Sequence, residues 1–267
     1  MIQGFSIRHA GAAVLAVSLA SAAPAAAVNL FSVQQDVQAG RQAASQVERQ
    51  MPILRDAQVT SYVNAIVRRL AAQAPGPEFA YQAKVVNSRE INAFALPGGY
   101  VYVNRGLISA VRSEAELAGV LAHEIAHVAE RHGTEQATKA YGAQAGVGLL
   151  AQLLGGRDRR LGVPEQIIGS LGVNAAFMKF SRNAEHEADQ VGAQIMARAG
   201  YDPMAMATFF DLLQAQKRSN PNAVAKFFSS HPPASDRSQR IRSYASQLGR
   251  GNGRQVGNLR AVQSRLG

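Results

Sequence analysis

Apolar residues recur every three or four positions in the first quarter of the chain. Residues 29–50 are polar and glutamine-rich, and residues 52–73 carry an apolar stripe. The stripe consists of Ile53, Val59, Val63, Ile66, Val67 and Leu70. This spacing is typical of amphipathic helices, so we expect one helix in each range. Pro75-Gly76-Pro77 predicts the turn that ends the second helix.

The pattern then changes to one that is typical of strands. Residues 79–86 predict one strand, and residues 91–103 predict two short strands around a turn at Leu96-Pro97-Gly98-Gly99. Helical patterns resume in the second half of the chain, notably over 177–199 and from Pro203. These elements predict an α+β fold that is mostly α, with a small antiparallel sheet.

One helix carries residues that are suited to metal chemistry. Ser113 with Glu116 predicts its start, and Gly133 predicts its end. His123 and His127 are four residues apart on it, so both rings point the same way and can bind one zinc ion. Glu124 beside them is placed to act as general base toward water. This is the H-E-x-x-H signature of zincin metallopeptidases.

A catalytic zinc site needs a third protein ligand. The metzincin pattern would place a histidine at position 133, but that residue is glycine and His132 misses by one. A carboxylate on a second helix is the other common solution. The third ligand is therefore expected farther along the chain.

Residues 181–189 supply three carboxylates for that role. On a helix Glu185 and Glu187 lie about 200° apart, whereas Glu185 and Asp189 share a face. We expect Glu185, with the longer reach, to ligate zinc and Asp189 to accept a hydrogen bond from one ligand histidine. Glu187 and His186 are then expected to be solvated bystanders.

Composition narrows the class of protein and its partners. The 267 residues include no cysteine, which excludes disulfides and thiolate ligands. The formal net charge is +10, but tryptophan is absent and aromatic residues are few, so the chain offers no stacking platform for nucleic acid. Anionic membrane surfaces or acidic polypeptides are better matched partners, and the sequence does not define an oligomeric state.

The two ends of the chain differ in composition from the middle. Residues 1–27 predict a cleaved signal peptide, which together with the lack of cysteine indicates a bacterial periplasm. Residues 28–247 are expected to form one metallopeptidase domain. Residues 248–267 are basic and rich in glycine, and they predict a flexible tail. The apolar, glycine-rich residues 140–175 predict either a lid or a membrane contact.

Four motifs together resemble the HtpX, BepA and CAAX prenyl endopeptidase family of zinc metallopeptidases. They are His123-Glu124-x-x-His127, Ser181-Arg182-x-x-Glu185-x-x-Ala188-Asp189, Asn92-Ala93-Phe94-Ala95-Leu96-Pro97-Gly98-Gly99 and His231-Pro232. The resemblance covers roughly residues 59–241. The chain is most similar to soluble periplasmic members that have no helical-repeat domain.

The resemblance implies roles for individual residues. One zinc ion would be held by His123, His127 and Glu185, with Glu124 as the general base. Asp189 would accept a hydrogen bond from a ligand histidine. A strand beside the site, here Asn92, Ala93, Phe94 and Ala95, would pair with substrate backbone.

Two further residues gain roles from the same resemblance. His231 would either stabilise the oxyanion or act as a removable fourth zinc ligand. Arg237 would join the oxyanion side.

The function expected from these patterns is zinc-dependent cleavage of unfolded or misassembled envelope proteins in the periplasm, near the outer membrane. One alternative is a latent or chaperone-like binding protein whose zinc site is shut. Another is an adaptor at a membrane surface that acts through the basic tail and residues 140–175.

Overall fold

The computed structural model describes residues 29–140, 179–232, 236–253 and 255–267. The predicted signal peptide and nearly all of residues 140–175 lie outside these ranges. The helices are α1 Val33–Gln50, α2 Ala57–Ala71, α3 Arg105–Ala110, α4 Glu114–Ala129, α5 Arg182–Arg198, α6 Met204–Ser219, α7 Pro221–Ser230, α8 Arg237–Leu248 and α9 Leu259–Gln263. Residues 132–140 are also helical. The strands are β1 Gln82–Val86, β2 Ala93–Leu96 and β3 Tyr100–Asn104.

The predicted α+β class is confirmed, but the sheet is mixed rather than antiparallel. Its strand order is β1-β3-β2. β2 and β3 form the expected antiparallel hairpin, whose turn at Pro97–Gly99 has Gly98 in the left-handed region at φ 77°. β3 then inserts between β2 and β1 and runs parallel to β1. The sequence pattern located the strands, but it carried no information on which strand would occupy the middle.

α4 is the central helix of the domain. It packs against α2, α5, α6 and β2, and almost every residue from Leu117 to Ala129 is buried. Gly119 allows this packing, because a Cβ there would lie 2.9 Å from the Cα of Met206. A helix that is buried on all sides holds its side chains in fixed positions, which suits a site that must keep its geometry.

The ends of α4 differ in detail from the prediction. Ser113 accepts a hydrogen bond from the Glu116 amide, as an N-cap should, but the Glu116 carboxylate binds Arg112 instead of completing the capping box. The helix ends at Ala129, before the predicted stop at Gly133. Arg131 makes the turn in the left-handed region at φ 58°, a conformation that is rare outside glycine.

The expected flexible tail is wrong for the last residues of the chain. Leu259, Val262 and Leu266 are buried in the main hydrophobic core. The first two lie in α9, and Leu266 follows it. Gln263 donates to the carbonyl oxygens of Ile108 and Val111, each at 2.9 Å. Three apolar residues at helical spacing outweigh the basic and glycine-rich composition that led to the prediction.

α7 was not predicted from the sequence, and it leads directly to His231. Pro221 lies at its first turn, where a proline is tolerated, and the His231 amide closes its last turn on the Phe227 carbonyl. Within the described ranges, no helix combines the length and apolar character needed to cross a membrane.

Candidate metal centre

α4 brings His123 and His127 together as the spacing predicted. Both side chains are buried, and their Nε2 atoms are 3.0 Å apart. The rings are nearly perpendicular, at 87°. Two ring nitrogens that face each other at this distance repel unless a cation or a proton lies between them.

α5 supplies the carboxylate that was expected from the second helix. Ser181 caps α5, and Glu185 lies in its first turn. Glu185 Oε1 is 3.3 Å from His127 Nε2, and its other oxygen is 3.6 Å from His123 Nε2. The structure therefore brings all three predicted zinc ligands to one point.

His231 is the fourth member of the cluster. As the residue that ends α7, it is held against the site with only 1% of its surface exposed. Its Nδ1 lies 2.9 Å from Glu185 Oε1 and 3.3 Å from His123 Nε2. One ligand atom from each of the four residues lies within 4.8 Å of the others.

The donor set fits zinc. With bonds of about 2.0–2.1 Å, a tetrahedral zinc site has neighbouring ligand atoms about 3.3 Å apart. The separations given above between the histidine nitrogens and Glu185 Oε1 run from 2.9 to 3.3 Å, and the whole set lies within 4.8 Å. Imidazole nitrogen and carboxylate oxygen are also the ligand atoms that zinc accepts.

Glu124 is fully buried beside the cluster without ligating it. Its Oε1 is 3.4 Å from His231 Nε2 and has no hydrogen-bond partner in the described part of the chain. Burial raises the pKa of this carboxyl, which His231 and His123 partly oppose. A buried carboxylate with a free oxygen is suited to taking and returning a proton.

Arg237 links two of the three acids of α5, Asp189 and Glu185. Its guanidinium donates to both Asp189 oxygens, and its other nitrogen lies 2.8 Å from Glu185 Oε2. It also stacks on the Phe210 ring at 3.9 Å. Asp189 Oδ1 in turn lies 3.1 Å from His123 Nδ1. This is the contact expected between Asp189 and a ligand histidine.

The histidines of the motif titrate differently. Burial and Arg237 lower the pKa of His123, but Asp189 and Glu185 outweigh them and raise it to about 9. Burial lowers the pKa of His127 well below its usual value. Contacts with the histidines hold the pKa of Glu185 well below its usual range despite burial. A metal binds imidazole in its neutral form, so metal binding at His123 competes with protonation of its ring.

The predicted substrate strand is an edge strand. Asn92 precedes β2, and Ala93, Phe94 and Ala95 lie within it. The Asn104 amide donates to the Asn92 carbonyl, so in the antiparallel ladder every second residue pairs with β3. Ala93 and Ala95 therefore direct their N–H and C=O groups toward the edge that does not pair with β3, where Ala93 is buried and Ala95 half-buried. A narrow cavity joins Ala95 to His127 and Phe180.

Sequence reasoning missed two residues that contact His127. Phe180 stacks on its ring, with centroids 3.9 Å apart. His132, which we had discarded as a ligand, places its Nδ1 2.9 Å from His127 Nδ1. The only sequence signal for His132 was its position just beyond the motif helix.

The fold and this site define a metallopeptidase domain built on the H-E-x-x-H motif. The model of Peptidase family M48 matches residues 54–245. The chain belongs to this family.

Relatives in the same family come from bacteria and mitochondria. A beta-barrel assembly-enhancing protease of Escherichia coli K12 is 31% identical over 82% of this chain and 45% of its own length. The mitochondrial metalloendopeptidase OMA1 of Schizosaccharomyces pombe is 31% identical over 69% of this chain and 52% of its own. Metalloprotease LoiP of Escherichia coli K12 is 30% identical over 62% and 63%, respectively. The chain thus spans about half the length of the first two.

Proposed function

We propose that this protein is a zinc-dependent endopeptidase. The observation that carries the proposal is the buried cluster of His123, His127, Glu185 and His231, with a Glu124 carboxylate oxygen that has no hydrogen-bond partner in the described part of the chain beside it. Membership of a metallopeptidase family supports it. Zinc, when bound, supplies a Lewis acid that polarises the peptide carbonyl and activates water.

The residues of the chain would divide the remaining chemistry. Glu124 would accept the proton of the attacking water and return it to the departing amine nitrogen, for which its raised pKa is suited. The free edge of β2 would pair with the backbone of an extended substrate. Such pairing uses hydrogen bonds to the substrate backbone, which do not depend on the substrate side chains. Broad activity on unfolded polypeptides is therefore expected.

We propose the bacterial periplasm as the location and unfolded or misassembled envelope proteins as substrates. The predicted signal peptide and the similarity to a beta-barrel assembly-enhancing protease support both. Peripheral contact with the outer membrane is part of the same proposal, because the chain is basic. The adaptor alternative rests on that charge and on the apolar, glycine-rich composition of residues 140–175.

A latent state is the second candidate, and one specific observation favours it. His231 places Nδ1 next to the other ligand atoms, where it would occupy the fourth position that a catalytic zinc keeps open for water. In that state the protein would bind zinc without cleaving. Exchange of His231 for water would then start the activity.

Casein digestion by the wild type and Glu124→Gln tests the proposal, with zinc content measured by atomic absorption. We expect the variant to keep its zinc and to lose about 10²–10⁴-fold in cleavage, which is the usual contribution of an acid–base residue. Glu78→Gln, a change at an exposed glutamate outside the ligand cluster, is the matched control. Equal cleavage by wild type and Glu124→Gln would overturn the proposal, as would a wild type that contains no zinc.

A further inference from the structure

A second chain of polar contacts runs from His127 away from the ligand cluster. His127 Nδ1 is 2.9 Å from His132 Nδ1, and His132 Nε2 is 3.3 Å from a Glu187 carboxylate oxygen. We propose that His132 is a positioning residue that fixes the tautomer and the ring orientation of His127, with Glu187 as its outer anchor. The proposal rests on the zinc site of the proposed function and adds two residues to it.

The proton positions along this chain follow from the role of His127. Its Nε2 faces the other ligand atoms, so it must carry no proton when it binds a metal. The ring proton is then on Nδ1 and is donated to His132 Nδ1. His132 must carry its own proton on Nε2, which donates to Glu187. Every atom in the chain has one role, and no donor faces another donor.

The backbone places His132 for this contact. α4 ends at Ala129, and the left-handed turn at Arg131 starts the next helical segment at once. Asp36 and the Phe31 carbonyl bind the Arg131 guanidinium and hold that turn. His132 is consequently only 2% exposed and meets the Nδ1 edge of the His127 ring.

The two motif histidines are therefore held by different chemistry. Asp189, an acid in an ion pair with Arg237, backs His123. A neutral imidazole backs His127, and the stacked Phe180 further limits rotation of its ring. Groups that bind the outer nitrogen of a ligand histidine orient the ring and raise its basicity, and their loss typically weakens metal binding about 10–100-fold.

The affinity for zinc, measured by competition with a chromophoric chelator, tests this role without any cleavage assay. His132→Leu removes the acceptor, whereas His132→Asn keeps an acceptor oxygen near the position of Nδ1. We expect zinc binding to weaken about 10–100-fold in the leucine variant and clearly less in the asparagine variant, which keeps the acceptor for His127 but loses the contact with Glu187. The visible spectrum of the cobalt-substituted protein should change in the same order, since it reports the ligand geometry.

A matched control is available one position before Glu187. His186 is bound to the Tyr244 hydroxyl and has no part in the chain from His127, so His186→Ala should leave zinc binding and the cobalt spectrum unchanged. Glu187 is mostly exposed, so Glu187→Ala provides a second variant that does not disturb the core if His132→Leu fails to fold. We expect it to weaken zinc binding less than the loss of His132 does, and Glu187→Gln to restore it.

The outcomes separate this inference from the proposed function. Unchanged zinc affinity and an unchanged cobalt spectrum in His132→Leu would overturn the role of His132, as would equal losses in the leucine and asparagine variants. If His132→Leu does not fold, wild-type affinity in Glu187→Ala would overturn the chain. A wild type that binds no zinc would overturn the proposed function together with the inference.

Discussion

Arg237 and Asp189 are joined by two nearly parallel hydrogen bonds, of 2.8 and 2.7 Å, in the interior of the protein. The pair ties α8 to α5 and stands directly behind His123. Arg237 was expected on the oxyanion side of the site. That role stays a prediction, and the contacts of Arg237 make it in addition the cation that balances two buried acids, Asp189 and Glu185.

Arg237→Met should strongly destabilise the protein, because it leaves two buried carboxylates without their cation. Breaking a buried ion pair by removing one partner typically costs about 3–5 kcal/mol in the free energy of unfolding. Urea denaturation of the metal-free variant measures this cost. Adding Asp189→Asn to Arg237→Met should recover part of the loss.

Arg242→Met on the same helix is the control for that experiment. Arg242 pairs with Asp211 at the surface, where an ion pair contributes about 0–1 kcal/mol. Equal losses in the two variants would contradict a special role for the Arg237 pair.

His231→Ala should increase casein cleavage if His231 closes the site. The alanine leaves one coordination position free for water, while His123, His127 and Glu185 keep the metal. Zinc affinity should fall, since one ligand is lost. Steady-state cleavage and chelator competition on the same samples measure both effects, with Ser229→Ala on the exposed side of α7 as control. Decreased cleavage with retained zinc would favour the oxyanion role instead.

Glu114→Gln should loosen the C-terminal segment. The buried Glu114 carboxylate accepts four hydrogen bonds: from the hydroxyls of Tyr62 and Tyr201 and the amides of Val256 and Gly257. An amide at this position turns one acceptor group into a donor that faces other donors. We expect a loss of about 1–3 kcal/mol in the free energy of unfolding.

Hydrogen exchange measures the local effect of the same substitution. The amides of residues 256 and 257 should exchange faster in Glu114→Gln than in the wild type, whereas the amides of the α4 interior should change little. Wild-type protection at both positions would show that the carboxylate does not hold the segment.

Two glycines that face Pro97 should respond in opposite directions to alanine. A Cβ on Gly40 would lie 1.8 Å from the Pro97 carbonyl oxygen, so Gly40→Ala must push α1 off the hairpin turn and should cost about 1–3 kcal/mol. A Cβ on Gly133 would meet Pro97 at an ordinary 3.5 Å within a helical segment. Gly133→Ala should therefore stabilise the protein by up to about 1 kcal/mol. Thermal unfolding compares both with the wild type, and equal shifts would contradict the packing described for α1.

Local patterns in the sequence predicted the parts of the fold that depend on local physics. The spacing of apolar residues located α2 and the hairpin, and helical geometry selected Glu185 and Asp189 over Glu187. Each of these inferences needed only residues within about two turns of one another.

Features that depend on contacts between distant segments were missed. The insertion of β3 beside β1 and the docking of residues 255–267 are set by packing across the domain. His132 reaches His127 because Arg131 adopts a left-handed conformation. Glycine is the usual sequence signal for that conformation, and arginine gives none. Glu187 is exposed to solvent as expected, but its contact with His132 on another helical segment was not foreseen.

The packing of residues 259–267 against the core has a practical consequence for expression of the protein. Arg105 donates to the Leu266 carbonyl oxygen at 2.6 Å, and Leu266 itself is buried. A purification tag fused directly after Gly267 would therefore begin next to the buried Leu266 side chain. A shortened version that stops at residue 248 would leave the Glu114 carboxylate, at the start of the motif helix, facing water.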